Sequence, residues 1–69
     1  MNGYLFSKPM IVTYSYLLMG IFKMYATIII RFNVGYINQP IVASDEEIIK
    51  EITKVTGHKA IRIIDYCSI

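Results

Sequence analysis

The clearest alternation of apolar and polar side chains in this chain lies within residues 24–34. By the two-residue period of a strand, one face collects Ala26, Ile28, Ile30, Phe32 and Val34. The other face collects Tyr25, Thr27, Ile29, Arg31 and Asn33. An apolar face backed by a wetter one is typical of an antiparallel strand that is buried on one side only. We therefore predict a strand over 24–34.

A second apolar run, 10–18, precedes this strand. It is rich in β-branched and aromatic side chains, which strands favour. Gly20 separates the two runs, and glycine is a common turn residue. The pattern predicts two strands joined by a turn, with Lys23 in or beside that turn.

A helix is predicted later in the chain, because Ser44 and Glu47 have the spacing of a capping box. Three acids in the first turn also favour the positive end of a helix dipole. Apolar side chains then recur along one stripe, at Ile48, Ile49, Ile52 and Val55. Gly57 supplies the left-handed residue that ends many helices. We predict an amphipathic helix over 45–56.

Two further segments have the character of strands. In 59–67, one face would carry Ala60, Arg62, Ile64 and Tyr66, and the other Ile61, Ile63 and Asp65. Before the helix, the extended piece 40–43 offers a short additional strand. Together the elements predict an α+β fold, with a small antiparallel or mixed sheet and the helix on one face. Residues 1–69 would form one small domain, in which 1–9 is a loose N-terminal segment.

The stretch 9–30 also permits a different interpretation. It is long enough for a membrane-spanning helix and contains one charged residue, Lys23. Its Ile, Leu, Val and Phe residues would contribute about −4 kcal/mol to insertion, and Lys23 would offset about 3 kcal/mol of that. Three tyrosines lie inside the stretch rather than at its ends, where membrane proteins place them. A small membrane protein with a single span over 9–30 is the alternative to two strands.

Charge and cysteine content narrow the classes of function. The net charge is +2, and the charged residues are spread along the chain. Nucleic-acid binding, which usually requires a strongly basic surface, is a weaker alternative. Phe32 is also predicted on the opposite face from Arg31 and Tyr25, which divides any stacking surface. Cys67 is the only cysteine, so no intrachain disulfide can form and the reducing cytoplasm is the expected compartment, with membrane association as its alternative.

Candidate catalytic groups are few. His58 and Cys67 would lie about 30 Å apart along one extended strand, at roughly 3.3 Å per residue. These two residues and Asp65 do not have a recognisable metal-ligand spacing, and the four glycines are isolated rather than grouped in a phosphate-binding loop. We expect no enzyme activity, no metal and no cofactor. His58 is expected at the helix terminus or in a solvated turn, and Cys67 as a small buried or C-terminal apolar residue.

The excess of apolar side chains favours an interaction protein. Hydrophobic residues make up 55% of the chain, and a single helix stripe can cover only one face of the predicted sheet. Either the N-terminal segment or a second copy of the protein could cover the other face. The small size, the excess of apolar residues and the free sheet edges favour a second copy, so we expect a two-fold homodimer. The candidate interaction surface comprises Tyr25, Ile29, Arg31, Tyr36, Arg62, Ile64 and Tyr66. Such a protein would also bind an unidentified larger protein, as an accessory protein of a phage or mobile element does when it inhibits a host factor.

Overall fold

Three antiparallel strands and one helix build this protein. The computed structural model describes residues 6–35, 38 and 40–69. Along the chain the elements are β1 (Phe6–Leu18), β2 (Phe22–Val34), α1 (Asp45–Thr56) and β3 (Arg62–Ser68). The strands lie in the order β2-β1-β3, so β1 is the centre of the sheet and β2 and β3 form its edges. This architecture confirms the predicted small α+β fold.

β1 and β2 form a long hairpin with an unbroken register, from Phe6 opposite Val34 to Leu18 opposite Phe22. The loop between them has three residues. Its backbone is left-handed at Gly20, with φ of 76°, a conformation that costs glycine little. The loop is closed by the Ile21 N–H, which donates to the Leu18 carbonyl at 3.2 Å.

Helix α1 begins and ends where its capping residues predict. The Ser44 hydroxyl accepts from the Glu47 N–H at 3.3 Å, and a Glu47 carboxylate oxygen accepts from the Ser44 N–H at 3.2 Å. At the other end, Gly57 has a φ of 73° and its N–H donates to the Thr53 carbonyl at 2.8 Å. The predicted bounds 45–56 are confirmed, because both ends are determined by residues within one turn of them.

The strand bounds differ from the prediction at several points. β2 begins at Phe22 rather than residue 24. β1 starts at Phe6, so residues 6–9 of the predicted loose segment belong to the sheet, whereas 1–5 lie outside the described residues. The segment 40–43 is not a strand; β2 and β3 already occupy both sides of β1, and Pro40 has no N–H to donate. β3 begins at Arg62 rather than residue 59, because Ala60 has a left-handed backbone that interrupts extended structure.

The alternative of a single spanning helix over 9–30 is wrong, because this stretch lies in β1, β2 and the turn between them. Among the described residues, no helix is both long enough and apolar enough to cross a membrane.

The core lies between α1 and the face of the sheet that carries the even-numbered residues of β1 and β2. Its buried members are Met10, Val12, Tyr14, Ile30, Ile48 and Ile52. The predicted faces of β2 are confirmed, since its even-numbered side chains from position 26 onward are buried or half-buried and its odd-numbered ones are exposed. The hairpin therefore buries one face against α1, and no described helix or strand covers the other face, as is common for amphipathic strands.

The faces predicted for the last strand are wrong. A register shift opposite Thr13 and Tyr14 marks a bulge in β3 at Ile64, and a bulge inserts a residue that breaks strict alternation. Tyr66 therefore lies opposite Val12 on the helix side, whereas Arg62 lies opposite Ser15 on the uncovered side.

Candidate interaction surface

The uncovered side of the sheet, here called the open face, is organised in rows that run across all three strands. One row is apolar: Ile29 of β2 lies opposite Ile11 of β1, which lies opposite Cys67 of β3. Ile29 is 59% exposed. Cys67 is exposed as well, so of the two settings expected for it, buried or C-terminal, the structure shows the second. This apolar row lies in contact with solvent in the isolated chain.

Two polar rows lie between the apolar row and the hairpin turn. Thr27, Thr13 and Asp65 form the next row, in which the two threonine hydroxyl oxygens are hydrogen-bonded at 2.9 Å. Beyond it, Ser15 lies between Tyr25 and Arg62. Ser15 is only 4% exposed, although α1 does not cover this side. The open face therefore combines apolar and polar side chains, with its central strand partly shielded by the strands beside it.

Positive charge predominates along the β2 part of the open face. The Arg31 guanidinium donates to the Ser7 carbonyl at 3.2 Å. Towards the turn, the Lys23 Nζ lies 5.8 Å from the centroid of the Tyr25 ring, within the range of a cation–π contact. A partner surface that meets β2 must accommodate both cations.

The structure brings together some of the residues predicted for the interaction surface. Tyr25, Ile29 and Arg31 lie on the open face of β2, and Arg62 lies on the same face of β3. Two others separate from them. Ile64 is at the bulge and is exposed, and Tyr66 lies towards the helix side at the sheet edge.

Two further predictions concern residues near this surface. Tyr36, the remaining member of the predicted surface, lies outside the described residues. Phe32 lies on the helix side of β2, away from Arg31 and Tyr25. Aromatic and basic side chains of β2 are thus divided between two faces, as the alternation predicts.

The two edges of the sheet differ in how well they are protected. β3 has seven residues, carries two charged side chains and contains the bulge, all features that discourage pairing with another chain. β2 has 13 residues in continuous register with β1. Large apolar side chains are exposed along it, namely Phe22, Met24, Tyr25 and Ile29. The β2 edge is therefore the accessible one.

His58 forms a cluster with two tyrosines that its sequence position does not reveal. Its Nδ1 and the Tyr14 hydroxyl are hydrogen-bonded at 2.7 Å. Its ring stacks on Tyr16, with centroids 3.6 Å apart and planes inclined by 4°. His58 lies directly after the helix terminus, as predicted, but its side chain is half-buried against the two tyrosines rather than solvated. The sequence does hint at this cluster through Tyr14, because a tyrosine in the middle of a buried strand face requires a hydrogen-bond partner for its hydroxyl.

An open cleft of about 510 Å³ lies beside this cluster, between the hairpin turn and the end of α1. Its lining combines apolar side chains with few polar groups, namely Tyr16, Leu17, Leu18, Met19, Gly20, Gly57, His58, Lys59 and Ala60. The Leu17 N–H donates to the Lys59 carbonyl at 3.1 Å, which ties the two walls together. Cys67 is on the open face, on the other side of the sheet, so His58 and Cys67 do not form a catalytic pair within one chain.

Neither a cluster of metal-binding side chains nor a similarity to known proteins indicates a function for these surfaces. Among residues 6–35, 38 and 40–69, no group of three or more His, Cys, Asp and Glu side chains could hold a metal ion. The chain matches no protein-family model, no curated protein and no solved structure. The open face and the outer edge of β2 are the features that best indicate what this molecule does.

Proposed function

We propose that this protein is a non-enzymatic interaction module that works as a homodimer. The observation that carries the proposal is the combination of an uncovered sheet face and a long unprotected edge at the same strand, β2. Exposed Ile29 and Tyr25 lie on that strand. Pairing a second copy along this edge removes part of the surface of such side chains from water, at about 25 cal/mol per Å² of apolar area.

The size of the chain supports a partner that shares the sheet. One helix covers one side of three strands, and only seven hydrophobic side chains among the described residues are buried. Domains of this length have marginal cores, and oligomerisation is a common way of extending them. In this proposal the dimer, and not the single chain, presents the open face to a larger protein.

Analytical ultracentrifugation over a range of protein concentrations tests the proposal. We expect a particle of twice the 8.0 kDa chain mass that dissociates on dilution. Ile29→Lys should weaken the dimer at least tenfold, because it removes an exposed apolar side chain and adds a charge next to Arg31 on the same face of β2. Val55→Lys is the matched control, since Val55 is similarly exposed but lies on α1. A monomer at every concentration, or a dimer weakened only by Val55→Lys, would contradict the proposal.

A further inference from the structure

The helix leaves the outer side of β2 accessible to another chain. On β1, Met10, Val12 and Tyr14 are at most 2% exposed. Of their counterparts on β2, Ile30 is also buried, but Ile28 and Ala26 are only half-buried. α1 therefore covers the centre of the sheet more completely than the β2 side, and nothing among the described residues pairs with the outer edge of β2.

We infer that β2 of one copy pairs antiparallel with β2 of a second copy, about a two-fold axis that passes through Ile28. A two-fold axis that joins two identical antiparallel edges must be perpendicular to the sheet. Only this rotation both reverses the direction of the strand and brings the outer edge of one copy against the outer edge of the other. The residue on the axis then faces its own copy, and the others pair at equal distances from it. The inference rests on the proposed homodimer and specifies its interface.

The position of the axis follows first from the length of the strand. Ile28 is the middle residue of β2. With the axis there, Phe22 lies opposite Val34 of the second copy, and all 13 residues are paired. Shifting the axis to Ile29 leaves Phe22 and Lys23 beyond the end of the opposite strand, which shortens the ladder of hydrogen bonds.

The side chains favour the same axis. It places Tyr25 opposite Arg31 of the second copy, where a cation–π contact is worth about 0.5–1 kcal/mol at an exposed site. It also places Met24 opposite Phe32, a sulfur–aromatic pair. Both Tyr25 and Met24 are exposed in the single chain, so each gains a neighbour on its outer side.

Charge repulsion excludes the register in which the axis passes through Thr27 instead of Ile28. With the axis at Thr27, Lys23 of each copy would lie directly opposite Arg31 of the other. Like charges that face each other across strands are destabilising, and this register contains two such pairs. With the axis at Ile28, Lys23 faces Asn33 and no two cations face each other. The positions of Lys23 and Arg31 thus select one register.

The resulting dimer has a continuous sheet of six strands. Because the axis is perpendicular to the sheet, both helices lie on one side and both open faces lie on the other. Thr27 of one copy then lies beside Ile29 of the second on that shared face. A partner protein would meet one surface twice as wide as that of a single chain, built from residues of both copies.

Engineered disulfides test the position of the axis. In a Cys67→Ser background, single cysteines replace Thr27, Ile28 or Ile29, and cross-linking is measured after mild oxidation. Residues directly opposite each other have Cβ atoms about 4.5–5.5 Å apart, close to disulfide geometry, whereas diagonal neighbours are about 7 Å apart. We expect Ile28→Cys to cross-link to itself, and Thr27→Cys and Ile29→Cys to remain near background.

Mixing two chains provides a test that does not depend on substituting a half-buried residue. Thr27→Cys and Ile29→Cys alter exposed side chains, and the two should cross-link when mixed although neither does alone. Self-cross-linking of Thr27→Cys or of Ile29→Cys would move the axis and overturn the inference. Absence of every cross-link in samples that sediment as dimers would overturn this interface but not the homodimer. Monomers in the reduced samples would overturn both.

Discussion

At the scale of single residues, the least expected feature is the bond between Tyr14 and His58. The two residues are 44 positions apart, and Tyr14 is fully buried. The histidine ring also stacks on Tyr16, so it joins the end of α1 to the central strand. A buried hydroxyl is costly without a hydrogen bond, and His58 supplies the partner.

Replacing Tyr14 with Phe tests this bond. The ring packing is kept, but His58 Nδ1 loses its partner, so we expect the free energy of unfolding to fall by about 1–2 kcal/mol. Tyr66→Phe is the matched control, because Tyr66 is exposed, and it should change stability by less than about 0.5 kcal/mol. Urea unfolding at one fixed protein concentration measures both. Equal effects of the two substitutions would remove the role assigned to His58.

At the scale of elements, both ends of α1 could be predicted, whereas β3 could be predicted only in part. The apolar stripe predicted for α1 holds at Ile48 and Ile52, but Val55 at its end is 63% exposed. The ends of α1 depend on Ser44, Glu47 and Gly57, which act on backbone groups within one turn. β3 depends on its alignment with β1, which is distant in sequence, and its bulge at Ile64 reverses the faces of the residues that precede it. Local periodicity contains no information about such a bulge.

The same distinction applies to the interaction surface. Tyr25, Ile29 and Arg31 could be predicted on one face, because alternation within a single regular strand is sufficient. The prediction that Tyr66 shares a face with Arg62 is wrong, because the bulge at Ile64 lies between them. The His58 cluster could not be predicted from spacing, since its members come from β1 and from the segment after α1.

Two substitutions on α1 test how it packs on the sheet. Ile52 is fully buried and Val55 is 63% exposed. The same change to Asp should therefore reduce the stability of the fold strongly at position 52 and only slightly at position 55. Ile52→Asp places an unpaired charge in the core and should destabilise the fold by more than about 4 kcal/mol. Val55→Asp should cost less than about 1 kcal/mol. Thermal melts followed by circular dichroism compare them, and a mild effect of Ile52→Asp would mean that α1 is not packed as described.

At the scale of the whole molecule, the exposed edge extends over almost its full length. The chain measures 48 × 20 × 16 Å, and a strand of 13 residues extends about 43 Å at roughly 3.3 Å per residue. Pairing along β2 would therefore widen the molecule while leaving its length nearly unchanged. It would also convert a sheet of three strands into one of six without covering the open face.

Amide hydrogen exchange along β2 tests this account most directly. Alternate N–H groups of an edge strand point away from the sheet and exchange rapidly unless another strand accepts their hydrogen bonds. At concentrations where the protein is a dimer, we predict slow exchange at every amide in the centre of β2, including those directed away from β1. The outward amides of β3 should exchange rapidly in the same sample. If alternate amides of β2 exchange as fast as those of β3, β2 does not pair with a second copy.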